Sequence, residues 1–198
     1  MKKKTVILTA MDIECDAIRR ALRLRRKNSR KIGDVRVIEG TIRGNEIVLA
    51  KTGMGKKRIA AIMDELFRAY DVGFVIFAGV AGAVDKNLKV GDIVMPKTVI
   101  SLIDSKRYDT AWYAAEGFQT GGLLVKIGGA EYTVDRVFGA DDKALLREQD
   151  PDAAAVDMES SCVCERAYRQ KIPCLIIRGI SDTWDFRFPK IFFITRKN

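Results

Sequence analysis

Val156-Asp-Met-Glu-Ser-Ser161 and Ile180-Ser-Asp-Thr183 bracket the stretch whose reading decides the fold. Between them, residues 160–171 have the spacing of a helix, and Ile172-Pro-Cys-Leu-Ile-Ile-Arg-Gly179 is an almost continuous apolar run. Such a run suits a strand buried on both faces. The unit is a helix and a strand with carboxylates at both ends, which is how an α/β sheet gathers acids at its strand termini.

Upstream the same alternation continues. Thr5-Val-Ile-Leu-Thr-Ala10 reads as a buried first strand, and Asp12 opens a helix that carries Ile13, Ala17, Ala21 and Leu24 at helical spacing. Residues 35–38 and 47–50 form a hairpin around Arg43-Gly44-Asn45. Gly53-Met-Gly55 turns the chain into a helix over 56–70, with Ile59, Ile62, Met63 and Leu66 inward. Residues 74–78 predict another strand, closed by a Gly79-Val-Ala-Gly82 turn, and 90–94 lead into a further one. Residues 101–122 read as loop-rich, 123–127 as a strand and 141–148 as a short helix. The pattern predicts one α/β domain over residues 1–198: three layers, α/β/α, with a central mixed sheet.

At 198 residues, 47% hydrophobic and 31% charged, the chain can bury a sizeable core. No apolar run approaches the ~20 residues that span a bilayer, and Met1-Lys-Lys-Lys4 precedes too short a run for a secretory signal. The expectation is a cytoplasmic protein without membrane contact. Cys15, Cys162, Cys164 and Cys174 are too sparse for a disulfide framework or a zinc site, so buried thiols and no metal are expected. Histidine is absent, which excludes Ser-His and Cys-His nucleophiles and imidazole bases. The net charge of +9 is concentrated in residues 19–31, where no aromatic interleaves to stack bases, so a solvated face is expected and not a nucleic-acid partner.

Each candidate motif also has a plain structural reading. Lys51-Thr-Gly-Met-Gly-Lys56 fails as a phosphate-binding loop because Ala50 and Lys57 stand where glycine and Ser or Thr are required. Asp12 and Glu14, like Asp157 and Glu159, suit helix N-termini by charge alone. Ser181-Asp182 can be a polar turn.

Taken together, Asp157-Met-Glu-Ser160, Arg178-Gly-Ile-Ser-Asp182, Phe77-Ala-Gly-Val-Ala-Gly82, Leu88-Lys-Val-Gly-Asp-Ile-Val94 and Ala10-Met-Asp-Ile-Glu14 resemble the purine nucleosidase branch of the nucleoside phosphorylase superfamily. The resemblance spans roughly residues 5–183. It implies hydrolysis of a purine nucleoside without a cofactor, by a homodimer. Glu14 would activate the water, in a setting near Ala17 and Ile18, and Asp182, steadied by Ser181, would protonate the base at N7. Glu159 would grip the ribose hydroxyls in ionised form, with Met158 against the sugar. Val80 and Gly82 would lie beside the nucleoside, Val80 without the hydroxyl of many relatives. Phe138 is the candidate for stacking on the base, and Arg178 for structural support. Asp157 stands where glutamate is common. Residues 184–198 are short, basic and aromatic where relatives continue in a long helix, and are expected to pack on the domain or a partner chain. Competing expectations are a phosphate-dependent phosphorylase, with Arg19, Arg43 or Arg58 supplying charge, and a non-catalytic binding module.

Overall fold

The computed structural model describes residues 3–112 and 125–186. In chain order the elements are β1 (Lys4–Thr9), α1 (Asp12–Ala21), β2 (Ser29–Ile32), β3 (Val35–Ile42), β4 (Asn45–Lys51), α2 (Lys56–Ala69) and β5 (Val72–Ala83). There follow β6 (Ile93–Met95), β7 (Thr98–Ser101), β8 (Arg107–Asp109), β9 (Val125–Ile127), β10 (Ala130–Thr133), α3 (Ala140–Gln149), β11 (Ala153–Asp157), α4 (Ser160–Arg169) and β12 (Cys174–Asp182). The strands form one mixed sheet in the order β2-β3-β4-β1-β5-β11-β10-β7-β8, with β12 and then β6 and β9 extending from β5.

Layering follows from which side chains each strand sends to each face. Val6, Leu8, Val75, Phe77 and Ile176 pack under α2 and α4, meeting Ile59, Met63, Leu66, Val163 and Ala167. Ile7, Ile47 and Leu49 point the other way, towards Cys15, Ile18 and Leu22 of α1 and the residue after it. Tyr132 and Val156 meet Leu146 of α3, whereas their neighbours Glu131 and Thr133 bond to the start of α4. So α1 and α3 cover one face and α2 and α4 the other, giving the expected α/β/α layers around a mixed sheet. Among the described residues no helix is long and apolar enough to cross a membrane.

One local reading needs correction, and strands such as β11 and β2 have no counterpart in the sequence reading. Gly79–Gly82 is no turn: β5 runs through it to Ala83, because β12 pairs alongside as far as Asp182↔Gly82 and β11 joins at Val156↔Gly82. β11 begins Ala153-Ala-Ala155, a sequence with helical and no strand propensity; its small side chains, 0% exposed, fit between layers. β2 comes from the basic stretch, its Arg30 and Lys31 staying exposed while it pairs with β3. The β3–β4 hairpin turns through Arg43 (φ 48°) and Gly44 (φ 80°), the left-handed pair that a two-residue hairpin requires. Trp184 and Phe186 lie under the ammoniums of Lys86 and Lys143; the expectation for the remaining tail falls outside the described residues.

Candidate active site

β1 and β11 reach the same edge of β5 from opposite directions. β1 pairs in parallel as far as Leu8↔Phe77, and β11 arrives antiparallel at Val156↔Gly82. Residues 78–81 are therefore left without a strand partner on that edge among the described residues, a topological break of the kind where α/β sheets bind ligands. The Glu14 carboxylate occupies the gap. Its Oε1 accepts the Val80 N–H at 3.1 Å, and its Oε2 accepts those of Ala10 and Met11 at 3.0 and 2.8 Å. Backbone donors surround it, not the apolar side chains that its helix spacing suggested. Gly79 makes the approach possible, since a Cβ there would stand 2.9 Å from Glu14 Oε1 and 2.7 Å from Arg178 Nη1.

At the end of β12, Asp182 accepts the Ser181 hydroxyl on Oδ1 at 2.7 Å and the Lys143 ammonium on Oδ2. Ser181 Oγ also lies 3.2 Å from the Ala81 carbonyl oxygen. Gly82 makes room here too: a Cβ would come within 2.8 Å of Asp182 Oδ2 and 2.9 Å of Lys143 Nζ.

Glu159 stands at the N-terminal end of α4 without a side-chain capping bond, and the N–H of Gly55 bonds to it from the turn that fails as a phosphate loop. Burial pushes its carboxyl above the ordinary value and the Asp157 carboxylate adds to the push, against the guanidinium of Arg178. That direction works against the fully ionised Glu159 that was expected. Met158 and Val80 are half-exposed beside it. Phe138 has the Arg136 guanidinium over its ring at 4.9 Å.

One cleft of about 220 Å³ is lined by all eight sequence candidates: Glu14, Val80, Gly82, Phe138, Met158, Glu159, Ser181 and Asp182. A larger depression of about 580 Å³ near β3 and β4 holds Lys4 paired with Glu46 at 2.9 Å and Arg30 with Glu39, with Lys27 on its wall. It offers no comparable convergence of acids.

The chain matches the model of the phosphorylase superfamily over residues 4–136 and 127–190. It belongs to that superfamily. Among its relatives is the 5'-methylthioadenosine/S-adenosylhomocysteine nucleosidase of Buchnera aphidicola subsp. Baizongia pistaciae, 30% identical over 78% of this chain and 69% of that protein. The Staphylococcus epidermidis protein of the same name is 26% identical over 89% and 85%. The Neisseria meningitidis nucleosidase of that name, solved with methylthio-immucillin-A, superposes with a TM-score of 0.76 at 26% identity, covering 91% and 86%. The Helicobacter pylori futalosine hydrolase shares the fold at a TM-score of 0.77 and 24% identity, covering 92% and 88%.

Within this superfamily fold, two features escaped the sequence reading. Lys143 is one: with Ala140 and Leu146 it forms the buried stripe of α3, and a lysine on such a stripe was the available signal. The other is the cluster around Arg178. Its Nε bonds to Glu131 Oε1 at 3.0 Å and its Nη2 to Asp157 Oδ2 at 2.6 Å. Ser160 joins both Glu131 and Arg178. Glu131, a lone acid in a short buried strand, was the overlooked member.

Proposed function

We propose that this chain is a single-domain N-ribosyl hydrolase that cleaves the N-glycosidic bond of a purine nucleoside with water. The observation that carries it is the convergence of Glu14, Glu159 and Asp182, from three separate strand ends, on one cleft. Purine anions leave poorly, so the base must be protonated as the C1′–N9 bond breaks. Asp182 is the acid that protonates N7, held by Ser181. Glu14 takes the proton of the attacking water, and Glu159 accepts the ribose hydroxyls, with Met158 against the sugar. Val80 and Gly82 line the nucleoside's flank and Phe138 faces the base. Differently placed carboxyls divide the work as they do in glycosidases.

Water is favoured over phosphate by the state of the cleft's cations. Arg136 is bound to Asp142, Lys143 to Asp182, and Arg178 to Glu131 and Asp157. Arg19, Arg43 and Arg58 do not line the cleft. The nucleosidase names of the relatives point the same way. The reading includes a cytoplasmic homodimer; Met54 at the cleft rim and Ile13 beside Glu14, each 72% exposed, are side chains that a second copy would cover.

The test is a panel of purine nucleosides with varied 5′ substituents, with and without phosphate, followed by released free base. Release without phosphate is expected, and a strict phosphate requirement would convert the assignment to phosphorylase. Asp182→Asn should lower kcat by about 10²–10⁴-fold while substrate binding is largely kept, because an amide cannot deliver the proton.

A further inference from the structure

Lys143 is 1% exposed, on the inward stripe of α3. Lysine is almost never so buried without a partner, since desolvating an ammonium is costly. Its acceptors are Asp182 Oδ2 and, at 3.0 Å, the Thr183 carbonyl oxygen. The Phe186 ring lies 5.9 Å away, and Gly82 leaves the space in which ammonium and carboxylate meet. A leucine would fill this position on a buried helix face without that cost. A tie whose only task is to join α3 to β12 has no reason to end on the carboxylate that faces the cleft.

We propose that Lys143 supplies the proton that Asp182 delivers, so that the acid is the Lys143–Asp182 pair. This rests on the hydrolase reading above. In the resting pair the proton sits on Nζ. As the C1′–N9 bond breaks and its electron pair moves into the purine, Asp182 takes a proton from Nζ and passes it to N7. One N–H bond breaks at Lys143 and one forms on the base; Asp182 ends as the carboxylate it began as. The neutral amine then regains a proton from solvent, while the proton of the attacking water leaves through Glu14. The Ser181 hydroxyl on Oδ1 fixes the carboxylate while Oδ2 faces the ammonium. Lys143 touches Asp182 and acts through it, which makes it a positioning and relay residue.

Steady-state kinetics on a nucleoside that the wild type hydrolyses decide the matter, with folding checked by melting temperature. Lys143→Met should lower kcat by about 10²-fold and leave KM within about threefold. The Lys143→Met/Asp182→Asn double variant should be no slower than Asp182→Asn alone, because both changes remove one proton transfer. Lys143→Ala should regain turnover when ethylammonium is added, which keeps the test open if Lys143→Met folds poorly. Losses that add in the double variant, or Lys143→Met turnover close to wild type, would overturn the proposal while leaving the hydrolase reading intact. A wild type that releases no base from any nucleoside would instead remove that reading, and this proposal with it.

Discussion

The end of β11 with the turn after it, and the end of β12, each present two ionisable side chains close together, and the members of each pair differ in exposure. Asp157 and Arg178 are sealed, each side chain 3% exposed, with Glu131 at 0%. Glu159, just past the end of β11, and Asp182, further along β12, open onto the cleft that Asp157 and Arg178 only border, with Asp182 22% exposed. In the sealed cluster the guanidinium, two carboxylates and a serine bond to one another across β10, β11, β12 and the start of α4. In the open one, each carboxylate is held from behind by backbone N–H groups, a hydroxyl or an ammonium, while facing the cleft. A buried ion cluster is weak evidence for stability, since well-packed apolar groups often do as well. Its use here is positional: it fixes the strand ends from which the open acids project. Gly79 is where the two sets meet, with Arg178 on one side of the missing Cβ and Glu14 on the other.

The comparison breaks most visibly if Arg178 can be removed without harm. Arg178→Met leaves Asp157 and Glu131 buried without their cation, and such losses run to about 3–5 kcal/mol. Denaturant unfolding should show it. Asp182→Asn keeps a neutral acceptor for Lys143, whose bond to the Thr183 carbonyl oxygen also remains, so its cost should be smaller, about 1–3 kcal/mol. Equal stability losses for the two variants would mean that the sealed and open clusters do the same job.

A methyl at the seam sharpens the point. Gly79→Ala would place a carbon against Arg178 Nη1 and Glu14 Oε1, both of which are anchored by other bonds. Overpacking of this kind costs about 1–3 kcal/mol. The displacement should fall on Glu14, the more accessible partner, so kcat/KM should drop by about tenfold or more. A Gly79→Ala enzyme with wild-type kinetics would show that Glu14 does not need its bond to Val80.

The open cluster was reached through the family resemblance of its motifs and the sealed one mostly was not, for a physical reason. Glu14, Glu159 and Asp182 sit at element boundaries, where a short polar motif interrupts an apolar pattern. Glu131 and Lys143 sit inside elements, and their meaning depends on partners far away in sequence: Ser160 and Arg178 for one, Asp182 for the other. The helices were readable from apolar spacing, as with Ile59, Ile62, Met63 and Leu66 in α2. Gly79–Gly82 was misread because glycine usually signals a turn. Here, at Gly79 and Gly82, its value is the absent Cβ beside two cleft-lining carboxylates, in ordinary strand conformation.

The smallest expected effect concerns the charge of the sealed cluster. Burial, reinforced by the Asp157 carboxylate, pushes Glu131 up to about 7 from the usual carboxylate range, against the pull of Arg178. With Glu131 protonated, Arg178 and Asp157 balance and the cluster is neutral. Between the ordinary carboxylate value and about 7, the folded chain then holds a proton that the unfolded chain has released. Stability is therefore full below that window and falls as pH rises through it. The chain has no histidine, so no imidazole titration overlaps the same range. Glu159, also pushed up, contributes in the same direction. Glu131→Gln removes one of the two contributions, and its melting temperature should decline less steeply between pH 5 and pH 8 than the wild type's. The difference between the two curves isolates Glu131, because carboxyls such as Asp16, Asp85 and Asp142 are held below their ordinary value and titrate at more acidic pH. Parallel curves would mean that Glu131 stays ionised throughout, and that the sealed cluster carries a net negative charge behind the open one.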